Sequence, residues 1–393
     1  MDRRKFLKQS SLASSLFFVP SFVRAFEKVA SSKLGYKRLV IVQLSGGNDG
    51  LNTVVPFRND LYYKERPTLG LAPKDIVKLT DEVGLHPSLT PLKRLYDSGY
   101  LSIINNVGYP NPNRSHFRSM DIWQTASNSN EYLQSGWVGR FLDEYATHPH
   151  WAIEIDESLS LAMKGNRLNA IATQDSKALY NLSNDPFFDR VHNSAHLSEH
   201  NLGYLYKSMI AAESSAKYIY ETSKTVSSKK EYPQNSFAKQ LKTTAQFINS
   251  YLDTRVYYTS LSGFDTHVNQ LNTQKRLLGI YANSIEAFVE DLKANNTFKD
   301  TLILTFSEFG RRVKQNASVG TDHGTANNVF VIAENLNKPG LYNDIAGLDD
   351  LDNNGDLKFE IDFRAIYATV LGKWLQVNDE KVLNRSFKSL NFI

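Results

Sequence analysis

The stretch from Thr301 to His323 constrains the fold most. It opens with Thr301–Phe306, in which every residue is apolar or β-branched. A continuous run of this kind, arriving after a helix-like stretch, reads as a strand buried on both faces of a parallel sheet. Ser307, Glu308, Phe309, Gly310 and Arg311 follow directly. A carboxylate just past the carboxyl end of such a strand lies where open α/β sheets place their ligands. The chain then returns with Asp322-His323-Gly324, so a second acid and an imidazole can reach the same edge.

Other segments repeat this pattern of an apolar run followed by polar residues. Lys37–Leu44 is a buried-strand candidate running into Ser45-Gly46-Gly47-Asn48-Asp49-Gly50. The glycines let the backbone turn sharply, and Asp49 then suits a hard cation. Pro56–Asp81, with its tyrosines and prolines, reads as a surface excursion. Tyr100–Val107 is strand-like, and Arg114-Ser115-His116-Phe117-Arg118 opens a helix. A serine at a helix amino terminus sits among free N–H groups and the positive end of the dipole, where an anion is held. Arg114 and Arg118 are placed to bind phosphate or sulfate oxygens, with His116 a base or an outer partner. The bland alternative for Ser115 is a helix cap. Arg255–Leu261 is a strand by β-propensity, followed by Asp265 and His267. Two residues apart in extended chain, these point the same way, and an acid with an imidazole suits zinc or another transition metal. A long amphipathic helix spans Gln270–Ala294. Gly347–Leu357 resembles the start of a calcium loop, but counted from Asp350 its twelfth position is Ile361, where a glutamate is needed.

The chain contains no cysteine, so a metal must be held by oxygen and imidazole. Asp49, Asp265, His267, Glu308, Asp322 and His323 supply about six such ligands. That is enough for two divalent ions (Zn, Mg, Mn or Ca), the arrangement that splits phosphate esters. Of 45 basic and 41 acidic residues, five and one respectively fall in Met1–Ala25, so the remainder carries 40 of each. A near-neutral body excludes nucleic acid as the expected partner.

Residues 1–25 carry the remaining signal. Asp2-Arg3-Arg4-Lys5-Phe6-Leu7-Lys8 precedes a short apolar run, Ser11–Val23, that ends at Arg24-Ala25. A basic start, a short apolar segment and a small residue at its end describe an export signal. The run is too short for a transmembrane helix. The paired arginines resemble the twin-arginine signal, which implies the twin-arginine export machinery as a partner, cleavage near Ala25 and a periplasmic or extracellular destination.

The segments SGGNDGLNTVVP, RSHF, GWVGRFL, GFDTHVNQ, SEFGRR, GTDHGTAN and IDFRAIYA run from Ser45 to Ala368. In them the chain resembles a secreted, twin-arginine-signal family of unknown function within the alkaline phosphatase/sulfatase-like superfamily. The resemblance implies a three-layer α/β/α sandwich with a mostly parallel central sheet over residues 36–393, in which 156–254 form a mainly helical insertion or cap. It also implies two metals and a nucleophile at Ser115. The ligands it carries over are Asp49, Asp265, His267, Glu308 and His323. The chain departs from the superfamily at Glu308-Phe309, where an Asp-His pair is usual, leaving Asp322 to complete a site. Ser115-His116-Phe117-Arg118 lacks the C/S-x-P-x-R context of formylglycine sulfatases. The expected function is therefore an exported, metal-dependent hydrolase of phosphate esters, with sulfate esters second, acting on a small-molecule or glycan ester. The alternative is a non-catalytic envelope protein that binds an anionic glycan or protein partner on the same scaffold.

Overall fold

The computed structural model describes residues 37–184 and 201–393, the side chains of 201–208 excepted. The twin-arginine segment and its cleavage point lie outside the described residues.

The central sheet has nine strands: β1 (Arg38–Ser45), β2 (Leu101–Gly108), β3 (Ala152–Glu154), β4 (Ile171–Ala172), β5 (Val256–Ser262), β6 (Thr301–Phe306), β7 (Asn327–Ile332), β8 (Gly340–Leu341) and β9 (Ile361–Asp362). Their order is β8-β2-β7-β6-β1-β5-β3-β4, with β9 also paired to β2. All pairings are parallel except those of β7, which runs antiparallel to both β6 and β2. The apolar runs form strands because alternate residues find an apolar face on either side. Leu39 and Ile41 of β1 enter one core, while Val40, Val42 and Leu44 enter the other. Leu302 and Leu304 of β6 likewise part company with Ile303.

Among the described residues, the helices that cover the two faces include α1 (Thr90–Asp97), α2 (His116–Thr125), α3 (Trp137–Tyr145), α4 (Asn201–Ser223), α5 (Ser236–Asn249), α6 (Gln270–Ala294) and α7 (Phe363–Thr369). The first core takes Trp123 of α2, Phe141 of α3 and Tyr367 of α7. The second takes Leu92 of α1, Phe237 of α5 and Tyr281 of α6. Helices on both faces of a sheet, each packing its own core, make a three-layer α/β/α sandwich, as expected. No helix among the described residues is long and apolar enough to cross a membrane.

The antiparallel β7 matters for position. The excursion between Ser307 and Ala326 leaves the carboxyl end of β6 and re-enters at the amino end of β7. Since those two strands run in opposite directions, both ends of the excursion lie at one sheet edge. The carboxyl ends of β1, β2 and β5 share that edge. Pro56–Asp81 is not wholly a surface excursion, because Arg66 within it is completely buried.

Candidate metal centre

Four side-chain atoms converge at this edge. Asp265 lies in the loop after β5, and its Oδ1 is 3.0 Å from His267 Nε2, 3.3 Å from His323 Nε2 and 3.4 Å from His116 Nε2. The Nε2 atoms of His267 and His323 are 2.9 Å apart. Among the described residues, His116, Asp265 and His323 form the one group of three or more such side chains whose ligand atoms all lie within 4.8 Å of one another.

Each imidazole is pinned by its other nitrogen. His116 Nδ1 lies 2.8 Å from Glu308 Oε1, His267 Nδ1 lies 3.2 Å from Asp322 Oδ1, and His323 Nδ1 lies 2.7 Å from the carbonyl oxygen of Arg114. A carbonyl or a carboxylate oxygen accepts, so each Nδ1 carries the proton and donates. In the neutral rings all three Nε2 atoms are then bare lone pairs aimed at Asp265 Oδ1 and at one another. Three bare imidazole lone pairs around one carboxylate oxygen at such distances repel unless a proton or a metal cation lies among them. The buried Nε2 of His116 has no hydrogen-bond partner among the described residues. Three imidazole nitrogens and one carboxylate oxygen are ligands that a transition metal takes. Imidazoles held from behind by carboxylate or carbonyl are the usual second layer of such a site.

The scaffold around these rings is rigid. Glu308 is fully buried, and its Oε1 also accepts from Gly46 N at 2.8 Å. Gly46 has φ +117°, and a Cβ there would stand 2.5 Å from Asp265 N, so only glycine lets β1 turn this close to the Asp265 loop. Arg311 is buried and reaches the carbonyls of Gly46, Gly47, Phe264 and Thr321. It also donates to Asp265 Oδ1 at 2.8 Å. Burial pushes the Asp265 carboxyl up, but the hydrogen bond and charge of Arg311 outweigh this and hold it at about 2. The bond from Glu308 raises the His116 pKa despite burial, whereas burial lowers that of His323. Phe309 packs its ring 4.8 Å from both His116 and His323.

The remaining candidates take other places. Asp49 is buried, with both oxygens accepting from Arg66: Nη1 to Oδ2 at 2.6 Å and Nη2 to Oδ1 at 3.0 Å. Gln270 donates to Oδ2 as well. The cation at Asp49 is therefore a guanidinium, which corrects its assignment as a ligand. Glu308 and Asp322 stand behind His116 and His267, one layer further out than expected. His116, expected as a base or outer partner, joins the inner group instead. Arg118 turns away from Ser115. Its Nη2 reaches the carbonyls of Asn128 at 3.2 Å, Ser129 at 3.0 Å and Glu131, and its guanidinium lies 3.9 Å over the Tyr132 ring. This corrects its role as an oxyanion binder. Arg114 pairs with the buried Asp356. Ser115 is the exposed N-cap of α2, yet its side chain makes no capping hydrogen bond. Asp352 accepts from the backbone of Asn354 and Asp356, an Asx turn within the stretch that resembles the start of a calcium loop.

Two residues escaped the sequence reading, Arg66 and Arg311. Arg66 lies in a stretch without periodicity or motif, and Arg311, though part of the SEFGRR segment, carries no sign there that it is buried. A hint existed for Arg311 in its place beside Glu308, but its bonding to the Asp265 loop follows only from the chain's return.

Residues 36–387 match the model of a family described as a protein of unknown function (DUF1501). No curated protein matches the chain. Solved structures similar to it include the C-terminal periplasmic domain of EcEptC from Escherichia coli in complex with Zn, at 12% identity, covering 76% of this chain and 72% of that one with a TM-score of 0.38. The lipoteichoic acid synthase LtaP from Listeria monocytogenes is another, at 10% identity, 90% and 76% coverage and a TM-score of 0.43. A third is a protein in the alkaline phosphatase superfamily from Vibrio parahaemolyticus, at 11% identity, 76% and 60% coverage and a TM-score of 0.32.

Proposed function

We propose, on the premise that the chain belongs to the DUF1501 family of unknown function, that it is an exported metal-dependent hydrolase of phosphate esters, with sulfate esters second. One divalent ion is held by His116, Asp265, His267 and His323. The observation that carries this reading is the pinning of all three Nδ1 atoms, which leaves three Nε2 lone pairs and Asp265 Oδ1 facing one another. Of the candidate ions, the imidazole-rich set favours zinc over magnesium or calcium.

An ion bound there supplies Lewis acidity, offsetting charge on an ester oxygen and lowering the proton affinity of a neighbouring hydroxyl. The chain's own residues do the rest. Ser115 presents its hydroxyl at the start of α2, one residue before His116. First-turn N–H groups have no intrahelical acceptor and hold an anionic oxygen. In the reaction Ser115 Oγ bonds to phosphorus as the P–O bond to the alcohol breaks, and the proton given up by the serine hydroxyl ends on the departing alkoxide. Water then bonds to phosphorus as the Oγ–P bond breaks, one water proton returning to Oγ and phosphate leaving. Glu308, Asp322 and the Arg114 carbonyl hold the imidazoles in one tautomer throughout.

The test is metal analysis of the purified protein combined with turnover of an aryl phosphate. Wild type is expected to hold one equivalent of divalent metal and to turn over, and Ser115→Ala to keep the metal and lose turnover. Activity that survives Ser115→Ala removes that residue from the mechanism, and a protein that takes up no metal removes the reading.

One observation favours only the non-catalytic half of the second reading, an envelope protein on the same scaffold, because it leaves neither Arg114 nor Arg118 to stabilise a transferring phosphate. The guanidinium of Arg118 is taken by loop carbonyls and that of Arg114 by Asp356. Metal uptake without turnover of any ester is the result that selects it.

A further inference from the structure

A cavity of about 300 Å³ lies beside the residues that back the metal centre: Glu308, which holds His116, and Phe309, which packs on His116 and His323, both line it. Its other aromatic walls are Tyr109, Trp123 and Phe359. The charged groups that line it are already engaged. Glu308 accepts from Gly46 and His116, Asp352 accepts from two backbone N–H groups, and Lys358 pairs with Asp350. The surface left over is aromatic and aliphatic. An anionic occupant would lose its hydration beside the carboxylates of Glu308 and Asp352, whereas an apolar ring would be desolvated favourably.

Trp123 adds a preference. Phe306 stacks on it at 4.7 Å and Phe363 at 4.2 Å, so it is the ring edge that meets the cavity. Its indole N–H is buried, so what the indole offers the cavity is apolar ring carbon.

We propose that this cavity is the subsite for the alcohol half of the ester, and that it takes a flat, apolar ring, such as an aryl group. This rests on the hydrolase reading for its consequence in turnover, but not for the binding itself.

Phenol is the probe, since it carries the ring and the alcohol oxygen without the ester. Wild-type protein loaded with zinc is expected to bind phenol by calorimetry. Ala326→Leu, which narrows the cavity, and Phe359→Ala, which removes a wall, are each expected to weaken binding about tenfold, the scale of one buried ring contact. Metal content and far-ultraviolet circular dichroism should stay unchanged. Wild-type turnover of phenyl phosphate should exceed that of methyl phosphate by about tenfold or more in kcat/KM, and the variants should shrink that ratio. Wild-type protein that fails to bind phenol at millimolar concentration, or two folded variants that bind it as wild type does, would overturn the subsite. Phenol binding that responds to both variants in a protein without turnover upholds the subsite and rejects the hydrolase. Turnover with an unaltered phenyl-to-methyl ratio in the variants does the reverse.

Discussion

Arg66 and Asp49 form a two-pronged ion pair, at 2.6 Å and 3.0 Å, in which neither side chain is exposed. The pair ties the loop after β1 to residues that also anchor on the carbonyls of Arg312 and Val313. Removing one partner of a buried pair strands the other charge. Arg66→Met is therefore expected to lower unfolding free energy by about 3–5 kcal/mol, and Arg66→Met with Asp49→Leu to recover most of it. Urea unfolding measures both. Metal content should not change in the double variant, and a lost equivalent would return Asp49 to the ligand set.

Glu308 acts through His116. Glu308→Gln keeps the size of the side chain, but its amide can turn an N–H toward His116 Nδ1 and so favour the other tautomer. Metal affinity is expected to fall about 10- to 100-fold, as for other groups that orient a ligating histidine. Competition with a chelator reads this out, and unchanged affinity would mean that the ring is held without Glu308.

Arg118 is bound to the backbone of 128–131, not to a substrate. Arg118→Ala is expected to destabilise the fold by about 1.5–3 kcal/mol, the range for hydrogen bonds made by a charged group, with KM for an aryl phosphate unaltered. A rise in KM with no loss of stability would put the guanidinium back at the ester.

Glu154 on β3 gives a pH signature remote from the metal centre. Burial pushes its carboxyl up to about 7, against the stabilising bond from Ser160 N. Between the ordinary carboxyl range and pH 7 the folded protein binds more protons here than the unfolded chain. Stability from this group therefore falls as pH rises through that window and is level above it. Glu154→Gln removes the penalty. It should be near neutral at pH 5 and stabilise by up to about 3 kcal/mol at pH 8. Urea unfolding at the two pH values tests the sign, and a variant less stable than wild type at pH 8 contradicts it.

Much of the layout was legible from local pattern. Thr301–Phe306 forms the strand expected, and the starts of β1, β2 and β5 fall within a residue of the apolar runs. The reason is that a buried strand must be apolar on both faces, and that requirement is written residue by residue. His116, Asp265, His267 and His323 were likewise all visible as groups next to strand ends or at a helix start. Which of them face one another was not visible, because that depends on ring rotation set by partners such as the Arg114 carbonyl and Asp322. Asp49 looked like the other acids, and only Arg66, 17 residues away in a stretch without periodicity, separates it from them.

The sequence by itself determined the layered α/β architecture, the oxygen-and-imidazole chemistry and the edge where it gathers, because hydrophobic run length and residue type act locally. Only the tertiary structure decided which groups form the inner set, which hold them from behind and which acid is neutralised by a guanidinium. Those choices rest on hydrogen-bond directions and close approaches between residues as near as Asp49 and Arg66, 17 positions apart, and as far as Gly46 and Glu308, 262 positions apart, and no local pattern encodes them.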